Sequence, residues 1–397
     1  MKAGWQRTIL GSVAQVGAGN SAPQADALFA DGIYPFFRTS DAGRIRFGDI
    51  LKSSDYLNEE GIKGLRRLPA GTILFPKSGA STFLNHRVMM GVDGYVSSHL
   101  ATIIGDESKI DRRFLLYFLS TVSAQDLVQD HAYPSLNLPL IAGIPVAVPP
   151  LPEQQRIVAI LDEAFDGIAT AKANAEKNLQ NARALFESYL QAVFADAWRV
   201  GELVSLADLA SDISDGDHMP PPKATSGVPF ITIGNIVKDI RAIDFTDTFM
   251  VPKNYFDKLK FNKKPKKGDV LYTVTGSFGI PVLIENDIEF CFQRHIGLIR
   301  PNASTDSAWL NYLLLSPQVF KQAGSGATGT AQKTVSLKVL RGFTVPRVPL
   351  SQQQYAVSKL DVLAAETQRL ESLYQRKLAA LDSLKKSLLH QAFSGEL

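Results

Sequence analysis

The chain has 397 residues, enough for two or three domains at roughly 150 residues each. Lys and Arg number 42 against 39 Asp and Glu, a net +3, with 45% hydrophobic and 20% charged residues. This balance excludes a disordered chain and a densely basic nucleic-acid arm, so any basic surface must be local. The single cysteine, Cys291, excludes an intramolecular disulfide framework and a cysteine-rich zinc site. No apolar run reaches membrane-spanning length and the first residues lack a signal-peptide core, so a cytoplasmic protein without a membrane partner is expected.

Residues 1–150 are rich in Gly and Pro and carry short apolar runs between turn residues, such as Gly143-Ile144-Pro145-Val146-Ala147-Val148. Such runs read as strands, and Asp111 to Leu119 reads as a short helix, which makes this a mixed α/β (α+β) globular domain. Residues 151–199 then change texture: 153–194 hold no proline and only one glycine, Gly167. The globular texture returns over 200–349, and 350–397 form a second long helical segment, without proline or glycine over 352–393. Pro152 and Pro349 fall at the helix starts, where a proline costs nothing.

The halves repeat one another. Val148-Pro149-Pro150-Leu151-Pro152-Glu153-Gln154-Gln155 matches Arg347-Val348-Pro349-Leu350-Ser351-Gln352-Gln353-Gln354 at an offset of 199. Upstream, Gly71-Thr72-Ile73-Leu74-Phe75 matches Gly268-Asp269-Val270-Leu271-Tyr272, His99 matches His295, and Phe114 to Tyr117 matches Trp309 to Tyr312. The chain therefore reads as a pseudo-two-fold internal repeat of a unit of about 200 residues.

Both helical segments carry heptads. In the first, Ile157, Leu161, Ile168, Leu185 and Tyr189 lie in a seam whose positions are apolar in 10 of 11 cases. In the second, Leu360, Leu363, Leu370, Tyr374, Leu381, Leu384 and Leu388 belong to a seam apolar in 8 of 11. Asn178 aligns with Lys377 as a matched polar interruption that would fix register. Because the second globular domain joins the end of one helix to the start of the other, side-by-side packing must be antiparallel. The expected architecture is two similar domains at opposite ends of an antiparallel coiled coil. A 42-residue helix is about 63 Å long.

Catalytic motifs are missing: there is no phosphate-binding loop of the G-x-x-x-x-G-K-[ST] form, no G-x-G-x-x-G, no H-E-x-x-H and no nucleophile elbow. Glu107-Ser108-Lys109 has the E-x-K spacing of a metal-dependent nuclease, with Asp93 upstream, but the second copy lacks it. The main expectation is no active site and no bound metal or cofactor. A metal-dependent nuclease and a coiled-coil scaffold that binds only proteins are the alternatives.

Three features suit double-stranded DNA. Lys258, Lys260, Lys263, Lys264, Lys266 and Lys267 crowd ten residues around Phe261; they read either as phosphate contacts or as a solvated loop. In the first domain the basic candidates are scattered, among them Arg38, Lys77 and Arg87. The turns Lys77-Ser78-Gly79 and Thr275-Gly276-Ser277 follow matched strands and either approach a phosphate or base edge or are plain hairpin turns. In the stretches 131–137 and 324–333, Tyr133, Asn137, Gln332 and Lys333 carry side chains able to read base edges. The aligned His99 and His295 read as structural histidines.

Two domains, each closed by Pro-Leu-Pro-Glu-Gln-Gln or Pro-Leu-Ser-Gln-Gln-Gln and a long helix, resemble the specificity subunits of type I restriction–modification systems. Ser214-Asp215-Gly216-Asp217-His218-Met219-Pro220-Pro221 and the ending Gln391-Ala392-Phe393-Ser394-Gly395-Glu396-Leu397 carry the same resemblance. Gln352 departs from it, since a glutamate is usual there, and Asp31-Gly32-Ile33-Tyr34-Pro35 lacks the histidine of an Asp-Gly-x-His pattern. The resemblance implies two target recognition domains, each reading half of a bipartite asymmetric DNA site. It also implies two methyltransferase subunits bringing S-adenosylmethionine, and a translocase–nuclease subunit using ATP and Mg. The helix pair would then set half-site spacing and dock the methyltransferases.

Overall fold

The apolar runs Ile73–Pro76, Arg87–Met90 and Val270–Thr273 become strands buried on both faces, which is why they do not alternate with polar residues, whereas Pro145–Val148 buries only alternate side chains. The structure, a computed structural model, describes residues 4–128, 134–330 and 332–397. It divides into two units, Met1–Ala175 with Arg376–Leu397, and Glu176–Gln375.

In the first unit a five-stranded sheet runs in the order Ala14–Ala18, Leu100–Gly105, Ile73–Pro76, Arg87–Met90, Phe47–Ile50. It is antiparallel except for the last pair. Ile73 and Phe75 enter one core with Met89, Ala101 and Ile103, while Leu74 enters another with Val88, Met90 and Leu100. That split is the period-two geometry of a strand. The helix Arg112–Thr121 covers the first core and is capped by the Asp111 carboxylate, which accepts from the Arg113 and Phe114 N–H groups. A smaller sheet joins Asp55–Leu57, Tyr34–Phe37 and Tyr95–Val96, and Gln6–Ile9 pairs antiparallel with Pro145–Val148 at the approach to the first long helix.

The second unit repeats the plan. Its sheet runs Ala210–Asp215, Ile296–Pro301, Val270–Thr273, Pro281–Leu283, one strand fewer and fully antiparallel. Val270 and Tyr272 face one core, Leu271 the other. The helix Ser307–Leu314 is capped by Asp306, and Glu202–Ser205 pairs with Thr344–Arg347 before the second long helix. The fold is therefore two similar mixed α/β domains with two long paired helices.

Those helices span Leu151–Val200, 50 residues, and Leu350–Ser394, 45 residues. In the first unit Lys172 meets Asp382 at 2.8 Å and Arg156 donates to the Leu397 carbonyl at 2.8 Å; rising numbers meet falling ones, so the helices run antiparallel. In the second, Arg183 pairs with Glu371 at 3.1 Å. Exposed pairs of this kind contribute about 1 kcal/mol at most. Apolar burial holds the helices, through residues such as Ile157, Leu161 and Leu360, each fully buried and worth about 1.5–3 kcal/mol.

The seam departs from a strict heptad. Leu185, Tyr189 and Leu384 are 59%, 37% and 46% exposed, whereas Ala182, Phe186, Leu190 and Phe194 are buried. On the second helix Lys385 takes the inward place beside Leu384, its ammonium 4.8 Å from the centre of the Phe165 ring and 5.2 Å from that of Phe47. A helix of 3.6 residues per turn drifts by about 20° per heptad against a seven-residue repeat. Over four heptads the inward direction thus moves by nearly one residue. Past Ala182 the first helix packs on the second globular domain, Phe186 against Tyr312 and Phe194 against Trp309. Asn178 and Lys377 are exposed, so neither interrupts the seam.

Each domain is fastened to its helix by the same latch. Gln154, fully buried, accepts from the Asp111 N–H and donates to the Lys109 and Pro149 carbonyls. Gln353 does the same with Asp306, Ser304 and Val348. About two helical turns further on, the Tyr117 hydroxyl donates to Asp162, and that of Tyr312 donates to Asp361 at 2.7 Å.

Candidate nucleic-acid interface

In each unit four separate segments converge at one end of the main sheet. The first is the chain around Asn20 or Asp217. Its N–H donates to the carbonyl of Val96 or Phe292, and its carbonyl accepts from Ser98 or Arg294. The preceding glycine is obligatory, because a Cβ on Gly19 would lie 2.3 Å from the Val96 and Ser97 oxygens and one on Gly216 1.9 Å from that of Phe292. This close approach accounts for the glycine of Ser214-Asp215-Gly216-Asp217-His218.

The second segment is the glycine turn. Lys77 N–H donates to the His99 carbonyl at 3.0 Å and Val274 N–H to that of His295 at 2.9 Å. Gly79 and Gly276 have φ of 74° and 71°, left-handed values that favour glycine. The third segment is the histidine turn, Ser97 to His99 or Gln293 to His295. The fourth closes over the glycine turn: Gly79 N–H donates to the Pro134 carbonyl and Leu136 N–H to that of Lys77, matched by Gly276 with Lys333 and Val335 with Val274. Ser78 bridges Ser135, and Thr275 bridges Thr334.

The backbone frame is the same in both units; the side chains on it are not. In the first, Ser78 Oγ and His99 Nδ1 are hydrogen-bonded at 2.7 Å. In the second, a hollow of 500 Å³ is lined by Asp215, His218, Thr275, Arg294, His295 and Gln332 among others. His218 Nε2 lies 2.7 Å from Asp215 Oδ2. Asp217 accepts from the Tyr255 hydroxyl and faces Lys263 at 3.7 Å, while Lys263 also donates to the Gly216 carbonyl at 2.9 Å. Lys263 is thereby a brace for the loop that carries Asp215 and His218.

The residues singled out in the sequence divide accordingly. Lys77, Ser78 and Asn137 in the first unit, and Thr275, Ser277, Gln332 and Lys333 in the second, lie in or beside the converging segments. Asn137 is committed through its side-chain oxygen, which caps the helix Leu138–Ala142 by accepting from Leu140 N–H at 2.8 Å. Thr275 is buried, and Gln332 and Lys333 are exposed. Tyr133 lies outside the described residues.

Arg87 is not a surface contact. It is fully buried, with its guanidinium 3.4 Å from the Phe75 ring centre, and donates to the His86, Leu119 and Val122 carbonyls, closing the end of the helix Arg112–Thr121. Burial pushes its pKa down to about 9. Arg38 is held elsewhere, ion-paired to Asp55 with its guanidinium over Phe36 and Phe29. The lysine run is split: Lys264 donates to the Asp257 carbonyl and lies over Phe256, whereas Lys266 and Lys267 are exposed, Lys266 with its ammonium 4.3 Å from the centre of the exposed Phe261 ring. For a nuclease, Asp93 is paired with Arg67 and Lys109 with Asp106, and no group of three metal-ligating side chains gathers among the described residues.

Asp215, His218, Arg294 and His295 line the hollow of the second unit although none is among the contact candidates read from the sequence, where His295 reads as a structural histidine. The signal was present: the histidines align, and superposing the turns on them places Arg294 opposite Ser98.

A family model described as the type I restriction modification DNA specificity domain matches the chain twice, over residues 2–180 and 198–377. The type I restriction enzyme EcoBI specificity subunit of Escherichia coli is 22% identical over 390 residues, spanning 89% of this chain and 79% of its own. The EcoDI specificity subunit of Escherichia coli is 30% identical over 161 residues, 39% of this chain and 34% of its own. In solved structures, a chain from work on complex assembly and conformational transition of the type I R-M system superposes with a TM-score of 0.78 at 18% identity, covering 100% of this chain and 99% of that one. The HsdS subunit from Thermoanaerobacter tengcongensis gives 0.61 at 20% identity, covering 100% and 98%. At these identities the structural likenesses speak for the fold.

Proposed function

Because the chain belongs to the type I restriction modification DNA specificity family, we propose that each unit reads one half of a bipartite double-stranded DNA site through its four converging segments. The observation that carries this reading is the repetition of one backbone frame with different side chains upon it. Ser98 stands where the other unit has Arg294, Asn20 where it has Asp217, and Lys77 where it has Val274. Two rigid copies of a frame with unlike contact groups suit two unlike half-sites, since base edges are told apart by donor and acceptor pattern.

In this reading the chain performs no chemistry. The long helices set the spacing of the half-sites and dock two methyltransferase subunits, which supply S-adenosylmethionine, and a translocase–nuclease subunit joins for restriction. The first domain corresponds to residues 1–150 with its spacer helix over 151–199, the second to 200–349 with 350–397. Exposed Lys266 and Lys267 contribute phosphate contacts. Methylation mapping tests the proposal in cells carrying the chain with a methyltransferase partner, against cells lacking only the chain. A two-part methylated motif that vanishes with the chain is expected; methylation that persists unchanged contradicts it.

A further inference from the structure

We infer that Arg294 reads a guanine in the half-site of the second unit; the inference rests on the reading above, that this face meets duplex DNA. Of the eight arginines of that unit, seven are committed. Arg183, Arg199, Arg300, Arg347 and Arg369 form ion pairs, Arg341 donates to the Ile213 carbonyl, and Arg241 lies over Phe186. Arg294 is exposed, and among the described residues its guanidinium has no ion pair, hydrogen bond or ring contact.

Its backbone, by contrast, is fixed. Gln293 N–H donates to the Ile231 carbonyl at 3.0 Å, Arg294 N–H to that of Asp217 at 3.1 Å, and Ile296 N–H to that of Gln293 at 3.1 Å. A free side chain on a pinned turn is what a contact residue needs: placement without prior commitment. The hollow beside it also holds Asp215, whose Oδ2 is engaged by His218 while Oδ1 is left to accept. In the major groove guanine shows two acceptors, O6 and N7, which the guanidinium fork matches, and its cytosine partner shows an N4 donor, which a carboxylate accepts. Arg294 and Asp215 together present the complement of one G·C pair. The first unit has Ser98 in the equivalent place, so no such demand falls on its half-site.

The test is methylation mapping with the Arg294→Ala chain in its assembled complex, followed by binding of that purified complex to oligonucleotides varied one base pair at a time. One G·C position in one half of the motif should become degenerate, with about 10- to 100-fold of discrimination lost there, while the other half stays unchanged. Arg294→Lys, which keeps the charge without the fork, should relax the same position. Equal weakening at every sequence would make Arg294 a phosphate contact and overturn the inference, as would an unchanged motif at full methylation. If the unaltered chain directs no two-part motif, the proposed function itself is refuted, which is a distinguishable result.

Discussion

Replacing Gln353 by alanine should cost about 1.5–4.5 kcal/mol of unfolding free energy, because the buried side chain makes three hydrogen bonds to partly buried backbone groups, each worth about 0.5–1.5 kcal/mol. The groups are the Asp306 N–H, at 2.7 Å from the side-chain oxygen, and the Ser304 and Val348 carbonyls, at 3.0 and 2.6 Å from its nitrogen. All three belong to the second unit, so the loss should appear as loosening of that domain on its helix. The flanking Gln352 and Gln354 are exposed, and their alanine variants should stay within about 0.5 kcal/mol of the parent. Gln154→Ala should repeat the effect in the first unit. Urea denaturation followed by circular dichroism reads all four variants. A loss at Gln353 below about 1 kcal/mol, or one matched by Gln352, would refute the latch, since side chains without buried partners change stability little.

Three further outcomes are expected. Phe186→Ala should destabilise by about 3–5 kcal/mol while Leu185→Ala changes little; thermal unfolding of the pair checks the one-residue drift of the seam. Lys266→Ala with Lys267→Ala should lower the slope of log affinity against log salt by up to about 2 without altering the motif; an altered motif would mean these lysines read bases. The Asp106 carboxyl is held down to about 2, against 3.8 ordinarily, by the Ser108 hydroxyl and then by Lys109. Since its folded-state value is depressed, its contribution is present above the unfolded value and disappears as pH falls through the folded one. Ser108→Ala should therefore move the carboxyl titration, followed by NMR, back toward 3.8.

Much of this was legible because it depends on spacing. The offset of 199 between Val148 and Arg347 marks two copies, and uninterrupted stretches without proline mark two helices; neither needs tertiary knowledge. The seam was legible only in part, since the choice between Leu185 and Phe186 turns on a drift of about 20° per heptad and on aromatic packing against Tyr312. Arg87 shows a different limit: a charged residue in an apolar stretch reads as a surface contact until the carbonyls of Leu119 and Val122, more than thirty positions away, are seen to accept from it. Arg294 shows the converse. It has no local pattern at all, and its prominence comes from the commitment of every other arginine in its unit.

The central claim, that each unit reads its own half-site, is tested most directly by giving the chain two copies of one reader. Residues 6–148 are replaced by a second copy of 202–347, so that both junctions fall at matched strand ends, Gln6 with Glu202 and Val148 with Arg347, and the methylation motif is mapped in the assembled complex. The account predicts a motif whose two halves have become the same short sequence, that of the second unit. A motif that keeps its original first half would contradict it.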